Sequence, residues 1–265
     1  MDGDELLAAG DRNLGAVLRH AAATTPDAAI DDDGRLVMVS TVPTWPGPYH
    51  NGCLRLDRTL PPSEALARAD EFFTGRVRGY TVWIAAHADA DLEEAAVGAG
   101  LTSLGDASAP RMAIDHLPAA PPVPAGVTLE EVVDEAGRQA YVDVTAVAYV
   151  DAFLPAEVVR VQLANLESLR ADNVRAVVAT DGDEPVAAAM VLASDGIASV
   201  QLVGTVPAAR RRGLAEVVTQ WTVQAGFDLG AEAVVLEASE MGEPVYRRMG
   251  FVELSRYRWC FGAPA

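Results

Sequence analysis

Apolar residues fall in short runs whose spacing switches between the period of a strand and that of a helix, with glycine and proline at the switches. Val127 to Val133 alternates as a strand, and Asp134 to Val150 reads as a helix. A second helix follows Pro155, with Val159, Leu163, Leu166 and Leu169 at helical spacing. The runs Val174 to Thr180 and Pro185 to Ser194 are joined by an Asp181-Gly182 turn, and Asp195-Gly196 leads into Ile197 to Val206. Leu214, Val217, Val218, Trp221, Ala225 and Leu229 then mark one face of a helix that follows the strand almost at once. Ala233 to Ala238 is nearly all apolar, as a strand buried on both faces requires. Glu243 to Met249 reads as a helix ending at Gly250, followed by strands at Phe251 to Leu254 and Tyr257 to Phe261. This order predicts a mixed sheet covered by helices, an α/β or α+β fold.

The first half repeats the later part of this plan. Asp11 to Thr24 reads as a helix, Leu36 to Ser40 and Cys53 to Leu56 as strands, and Ser63 to Phe73 as a helix. Tyr80 to Ala86 is then a strand, Asp91 to Gly100 a helix, and Arg111 to Asp115 a final strand. Between the halves, Leu117 to Gly126 (LPAAPPVPAG) carries prolines that deny backbone donors and force extended conformations. The expected organisation is therefore a domain at 1–116, a proline-rich linker at 117–126 and a second domain at 127–265, related by a diverged duplication.

Half of the 265 residues are hydrophobic and 22% are charged, enough apolar material for buried cores and too much for disorder. Asp2, Asp4 and Glu5 stand where a secretory leader needs basic residues, and no apolar run reaches the ~18 residues of a membrane span, so a cytoplasmic protein is expected. Cys53 and Cys260 lie far apart in strand-like runs and read as buried thiols. His20, His50, His87 and His116 lack ligand spacing, so no metal site is expected. The net charge of -18 disfavours nucleic acid and anionic membrane as partners and would attract a cationic substrate such as an amine. Every basic residue other than histidine is arginine.

Chemistry concentrates in QLVGTVPAARRRGLAEVV, Gln201 to Val218. An apolar strand stops at Pro207, passes an arginine-rich turn and enters a helix at Gly213. The first amides of a helix have no internal partner and the helix dipole adds positive potential, so such a junction suits anions. Gly213 lets backbone approach a phosphate, and Arg210, Arg211 and Arg212 add charge-assisted donors. A solvated surface turn is the competing reading of the same arginines.

The run Arg210-Arg211-Arg212-Gly213-Leu214-Ala215 resembles the acyl-CoA signature R/Q-x-x-G-x-G/A of the GNAT superfamily of N-acetyltransferases, with alanine at the last position. VYRRMGF, Val245 to Phe251, resembles that family's C-terminal tyrosine-plus-Gly-Phe motif. The resemblance covers Val127 to Phe261 in element order and implies a GNAT-like fold in tandem arrangement, with acetyl-CoA as co-substrate. It implies that Val203, Gly204 and Thr205 form the splayed end of a strand that bonds pantetheine, and that Arg210 to Ala215 form the pyrophosphate loop, including Leu214. Ser239 falls where many members have a cofactor-contacting asparagine, and Tyr246 matches the tyrosine that protonates the departing thiolate. The first half runs LDRTLPPSEAL after its strand, without the signature glycines and with Pro61-Pro62 in place of the loop.

Acyl transfer from a thioester to an amine needs a neutral nucleophile, stabilisation of the oxyanion and a proton for the leaving sulfur. Tyr246 is the candidate acid. The ammonium must lose its proton to a carboxylate, for which Glu237 near the end of its strand is the most suggestive residue, to a water chain, or before binding, and the sequence does not assign the base. The expected function is acetyl transfer from acetyl-CoA to a primary amine of a small molecule or peptide, in a monomer or homodimer. The alternative is a catalytically silent acyl-CoA-binding or regulatory module. Nucleic-acid binding through Arg210 to Arg212 is opposed by the net charge.

Overall fold

The computed structural model describes residues 1–77, 79–150 and 154–263, the side chains of 105–107 apart. In chain order the first elements are α1 (Gly3–Thr24), β1 (Ala29–Asp32), β2 (Leu36–Ser40), β3 (Asn51–Arg55), α2 (Pro62–Phe73), β4 (Tyr80–Ala85), α3 (Ala90–Gly98) and β5 (Thr102–Ile114). They are followed by β6 (Val127–Glu131), α4 (Glu135–Ala148), α5 (Ala156–Gln162), β7 (Val174–Asp181), β8 (Glu184–Ser194), β9 (Ile197–Thr205), α6 (Leu214–Asp228), β10 (Ala233–Glu237), α7 (Glu243–Arg248) and β11 (Val252–Gly262). Internal contacts group the chain into two units, one of Met1–Asn13 and Met112–Val252, the other of Leu14–Arg111 and Glu253–Ala265.

In the first unit the strand order is β10-β9-β8-β7-β6, antiparallel except for β9 and β10. Asp195 and Gly196 both take left-handed φ values, 54° and 79°, which suit a tight hairpin turn between β8 and β9. Met112, Val191, Ala198, Val200, Val223, Val234, Leu236, Tyr246 and Phe251 form one buried cluster, so α6 and α7 cover one face of this sheet. Asp134 caps α4, its side chain accepting from Gly137 N at 2.9 Å. In the second unit the order is β1-β2-β3-β4-β11-β5, with β3 and β4 parallel. The same strand, helix, parallel strand order thus occurs in each unit, as β9-α6-β10 and as β3-α2-β4.

Several elements differ from the sequence expectation. Helix α1 begins at Gly3 because Asp2 and Glu5 cap each other, Glu5 N donating to Asp2 Oδ1 at 2.9 Å and Asp2 N to Glu5 Oε2 at 3.0 Å. Strand β1 was not expected, since AIDD is too polar to read as a strand; it pairs only with β2, at the sheet edge. The helix after Pro155 stops at Gln162, and Leu166–Ser168 forms a separate 3-10 turn. Arg138 Nη1 donates to the Leu163 carbonyl at 2.8 Å, satisfying the group that a longer helix would have used. Strand β5 is longer than Arg111 to Asp115, and the two closing strands are one, β11.

Cys53 and Cys260 are free and buried, and both register opposite Val82 from either side of β4. Two strand spacings separate them by about 10 Å, beyond the ~7 Å reach of a disulfide. Burial pushes the Cys53 thiol up to about 12, so it is inert toward nucleophilic chemistry.

Candidate active site

Strand β9 carries two irregularities that open an edge. Its parallel pairing with β10 runs through Ile197↔Ala233, Ala198↔Val234 and Ser199↔Val235 and goes no further. On the other side its register with β8 shifts between Ala188↔Gly204 and Met190↔Gln201, so Leu202 and Val203 together face Ala189. That is a β-bulge, and Leu202 within it takes φ 50°, a left-handed conformation that a leucine adopts at a cost of about 1–2 kcal/mol.

The backbone beyond the bulge can be assigned a direction. Val206 N donates to Val186 O at 3.0 Å, which makes them a hydrogen-bonded pair; two residues back, Gly204 and Ala188 are the next such pair. The Val203 carbonyl and both the amide and the carbonyl of Thr205 therefore turn away from β8, toward the opening beside β10. The two carbonyls are met by side chains: Tyr149 Oη donates to Val203 O at 3.0 Å, and Arg210 Nε to Thr205 O at 3.3 Å. Gly204 lets the end of α4 approach, since a Cβ there would lie 3.0 Å from Ala148 Cβ and 3.4 Å from Tyr149 Cε2. Gly204→Ala should therefore lower stability by about 1–3 kcal/mol, read as a drop in the urea midpoint at unchanged m-value.

After β9, residues Pro207–Ala209 form a 3-10 turn and the chain enters α6 through Gly213 at φ 82°. Gly213 offers no capping side chain, and nothing lies within 4 Å of where its Cβ would be. The first-turn amides, among them those of Leu214 and Ala215, thus have neither a helical partner nor a side-chain cap from Gly213. The three arginines take different tasks. Arg210 reaches inward, adding Nη2 to Ala148 O at 3.2 Å, and Arg212 Nη1 pairs with Asp181 Oδ2 at 2.8 Å. Arg211, at φ 64°, is exposed beside Gly213. The Thr205 hydroxyl is buried without a hydrogen-bond partner among the described residues.

Tyr246 on α7 is buried against Phe251, ring centroids 5.8 Å apart at 61°. Burial raises its phenol well above the ordinary range, so it stays protonated at any physiological pH. Burial raises Tyr149 likewise, with a smaller contribution from the neighbouring Tyr246, so the two phenols share one region. Ser239 is exposed and its hydroxyl accepts from Gly242 N at 3.1 Å, helping turn the chain into α7. Glu237 ends β10 and accepts from Gln201 Nε2 at 3.4 Å, across the point where β9 and β10 have parted. The sequence reading did not single out Tyr149 or Tyr141, whose hydroxyl lies 3.5 Å from Leu202 O. Their signal was present: two aromatics eight positions apart, hence on one face of α4. Among the described residues no group of three or more histidine, cysteine or acidic side chains could hold a metal ion.

The corresponding place in the second unit is built differently. Arg55, at the end of β3, is fully buried and its Nη2 lies 2.9 Å from Asp89 Oδ1, also fully buried. Asp89 also accepts from Ala85 N at 3.0 Å, and Arg55 Nη1 donates to Leu60 O and Asp91 Oδ2, both at 3.1 Å. Helix α2 then starts after Pro61 with Pro62 in its first turn, and Pro62 has no amide hydrogen to offer an anion. The loop Trp45 to His50 packs onto its own unit, with Trp83 Nε1 donating to Pro48 O at 3.0 Å and Thr81 Oγ1 to Pro46 O at 2.8 Å.

Comparison with known proteins adds to this geometry. Residues 138–259 match the family model described as acetyltransferase (GNAT) domain. Among solved structures, a GCN5-related N-acetyltransferase from Kribbella flavida is similar at 23% identity and TM-score 0.72, over 96% of this chain and 95% of that one. One from Sphaerobacter thermophilus is similar at 19% and 0.63, over 88% and 82%. A tandem GNAT protein from the clavulanic acid biosynthesis pathway is similar at 15% and 0.64, over 100% of this chain and 97% of its own. No curated protein matches the sequence. The fold expected from the sequence, a mixed α/β sheet of the tandem GNAT kind, is the fold observed. No helix among the described residues is long and apolar enough to cross a membrane.

Proposed function

Because the chain carries a GNAT acetyltransferase domain at residues 138–259, we propose that it transfers an acetyl group from acetyl-CoA to a primary amine of a small molecule or peptide, in the cytoplasm. The observation that carries this is local: β9 parts from β10 after Ser199, and the helix that follows begins uncapped at Gly213. An extended arm lying along the Val203 to Thr205 edge would end with its diphosphate at the α6 amides. Arg211 is the arginine left to contact it, while Arg210 and Arg212 shape the loop. The open space over Gly213 and the orphaned Thr205 hydroxyl fit such an occupant.

Acetyl-CoA, when bound, supplies an acyl group activated as a thioester. The chain's own part is to take a proton from the ammonium at the carboxylate of Glu237 so that the neutral nitrogen attacks, to polarise the acyl carbonyl through the Val203 amide, and to donate a proton from Tyr246 to the sulfur as the C–S bond breaks. The second nitrogen proton returns to Tyr246 as the amide forms. The net charge of -18 favours approach of that ammonium. In the unit of Leu14–Arg111 and Glu253–Ala265, with Pro61-Pro62 in place of the signature, the task is support or shaping of the substrate.

Turnover of acetyl-CoA, followed as released thiol against a panel of amines, tests the assignment. At least one amine class should be turned over, and Tyr246→Phe should lower kcat by about tenfold while the Kd for coenzyme A changes by less than about twofold. Equal activity in the variant removes the acid role. A second reading, a silent acyl-CoA-binding module, draws on Ser239 and Glu237 being engaged by Gly242 and Gln201. Tight binding of coenzyme A with no turnover of any amine would favour it.

A further inference from the structure

The strained bulge in β9 is met by side chains from α4, from its C-cap and from Arg210. Leu202 sits at φ 50°, where a leucine is disfavoured and a relaxed strand would withdraw it. The Leu202 carbonyl faces the hydroxyl of Tyr141 at 3.5 Å, and the Val203 carbonyl accepts from Tyr149 at 3.0 Å. Both tyrosines belong to α4 or its C-cap, and the Tyr149 ring lies over Gly204. Arg210 closes the arrangement, donating to Ala148 O at the end of the same helix and to Thr205 O beyond the bulge. Four consecutive residues, Leu202 to Thr205, are thus tied to α4 by side chains that all meet backbone.

We propose that Tyr149, assisted by Tyr141 and Arg210, is a positioning residue that braces this bulge so that the Val203 amide points into the opening beside β10. The inference rests on the cofactor-binding reading above and extends it by naming what keeps the strand edge in its binding conformation. Without the phenolic hydroxyl the Val203 carbonyl loses its partner, and Leu202 has less to oppose a return to negative φ. Such a return rotates the adjoining peptide and takes the Val203 amide out of the opening. In this account Arg210 of the signature run acts on backbone carbonyls, and its charge is spent on the loop's shape.

The test is a cycle with Leu202→Gly, because glycine takes positive φ without strain and should make the brace dispensable. Tyr149→Phe in the otherwise natural chain should raise the Kd for coenzyme A by about five- to tenfold, the loss of one hydrogen bond. In the Leu202→Gly background the same change should move Kd by less than about twofold. An equal loss in both backgrounds overturns the proposal, since it would mean that the hydroxyl touches the cofactor or merely packs. No loss in the natural background overturns it too. Amide hydrogen exchange needs neither cofactor nor the glycine variant: Tyr149→Phe should speed exchange by about tenfold at Val206, whose amide bonds the Val186 carbonyl just beyond the bulge, and unchanged exchange there overturns the brace. If the natural chain binds no coenzyme A, the cofactor reading fails, and exchange still decides whether the brace exists.

Discussion

Replacing Gly213 with aspartate should weaken coenzyme A binding by at least about 100-fold, equivalent to ~2.7 kcal/mol. The carboxylate would sit at the mouth of α6, take the first-turn amides for itself and repel a diphosphate beside Arg211. Helix α6 should survive: the space around Gly213 is open, and the strain of φ 82° is offset by the new cap. Gly213→Ala separates the two effects, since it brings the strain without the charge and should weaken binding by less than about tenfold. Titration calorimetry with coenzyme A measures both, and dephospho-coenzyme A or pantetheine as ligand locates the loss at the phosphates. A Kd unchanged in Gly213→Asp would remove the diphosphate from this helix and, with it, the acyltransferase assignment of the loop.

Asp89→Ala should cost about 3–5 kcal/mol of stability, because it leaves the guanidinium of Arg55 buried beside an empty site. Asp91, the remaining carboxylate beside Arg55, is 55% exposed, and neither it nor the Leu60 carbonyl can replace a fully buried carboxylate. The Ala85 amide is orphaned by the same change. For a protein of this size the unfolding midpoint should fall by about 10 °C in calorimetry. Adding Arg55→Met in the Asp89→Ala background should restore part of the loss, as removing the uncompensated charge does. A midpoint shift below about 2 °C for Asp89→Ala would show that Arg55 finds water, and that the cluster is less sealed than its burial indicates.

The arginine run Arg210 to Arg212 marks the boundary between what was legible in the sequence and what was not. As a string it is three equal donors ahead of a helix, and the strand-to-helix junction was readable because proline, glycine and apolar periodicity act over a few residues. Which arginine faces a ligand was not readable. Arg210 is claimed by Ala148 and Arg212 by Asp181, partners that lie far along the chain and come close only when β7, β9 and α4 pack. Ser239 shows the same limit, matched to a cofactor position in the sequence and found holding the turn into α7.

By itself the sequence determined the order and kind of the main elements, the glycine that ends α7 at Gly250, the apolar face of α6 and the absence of the signature from the first half. All of these follow from local backbone preference and from periodicity within one element. Tertiary structure alone decided that β9 leaves β10 after Ser199, that Leu202 is strained, and that Tyr141 and Tyr149 meet the bulge carbonyls. It also decided that Arg55 and Asp89 seal the end of β3. Each depends on hydrogen bonds and burial between residues distant in the chain, whose worth exists only once the partners have been brought together.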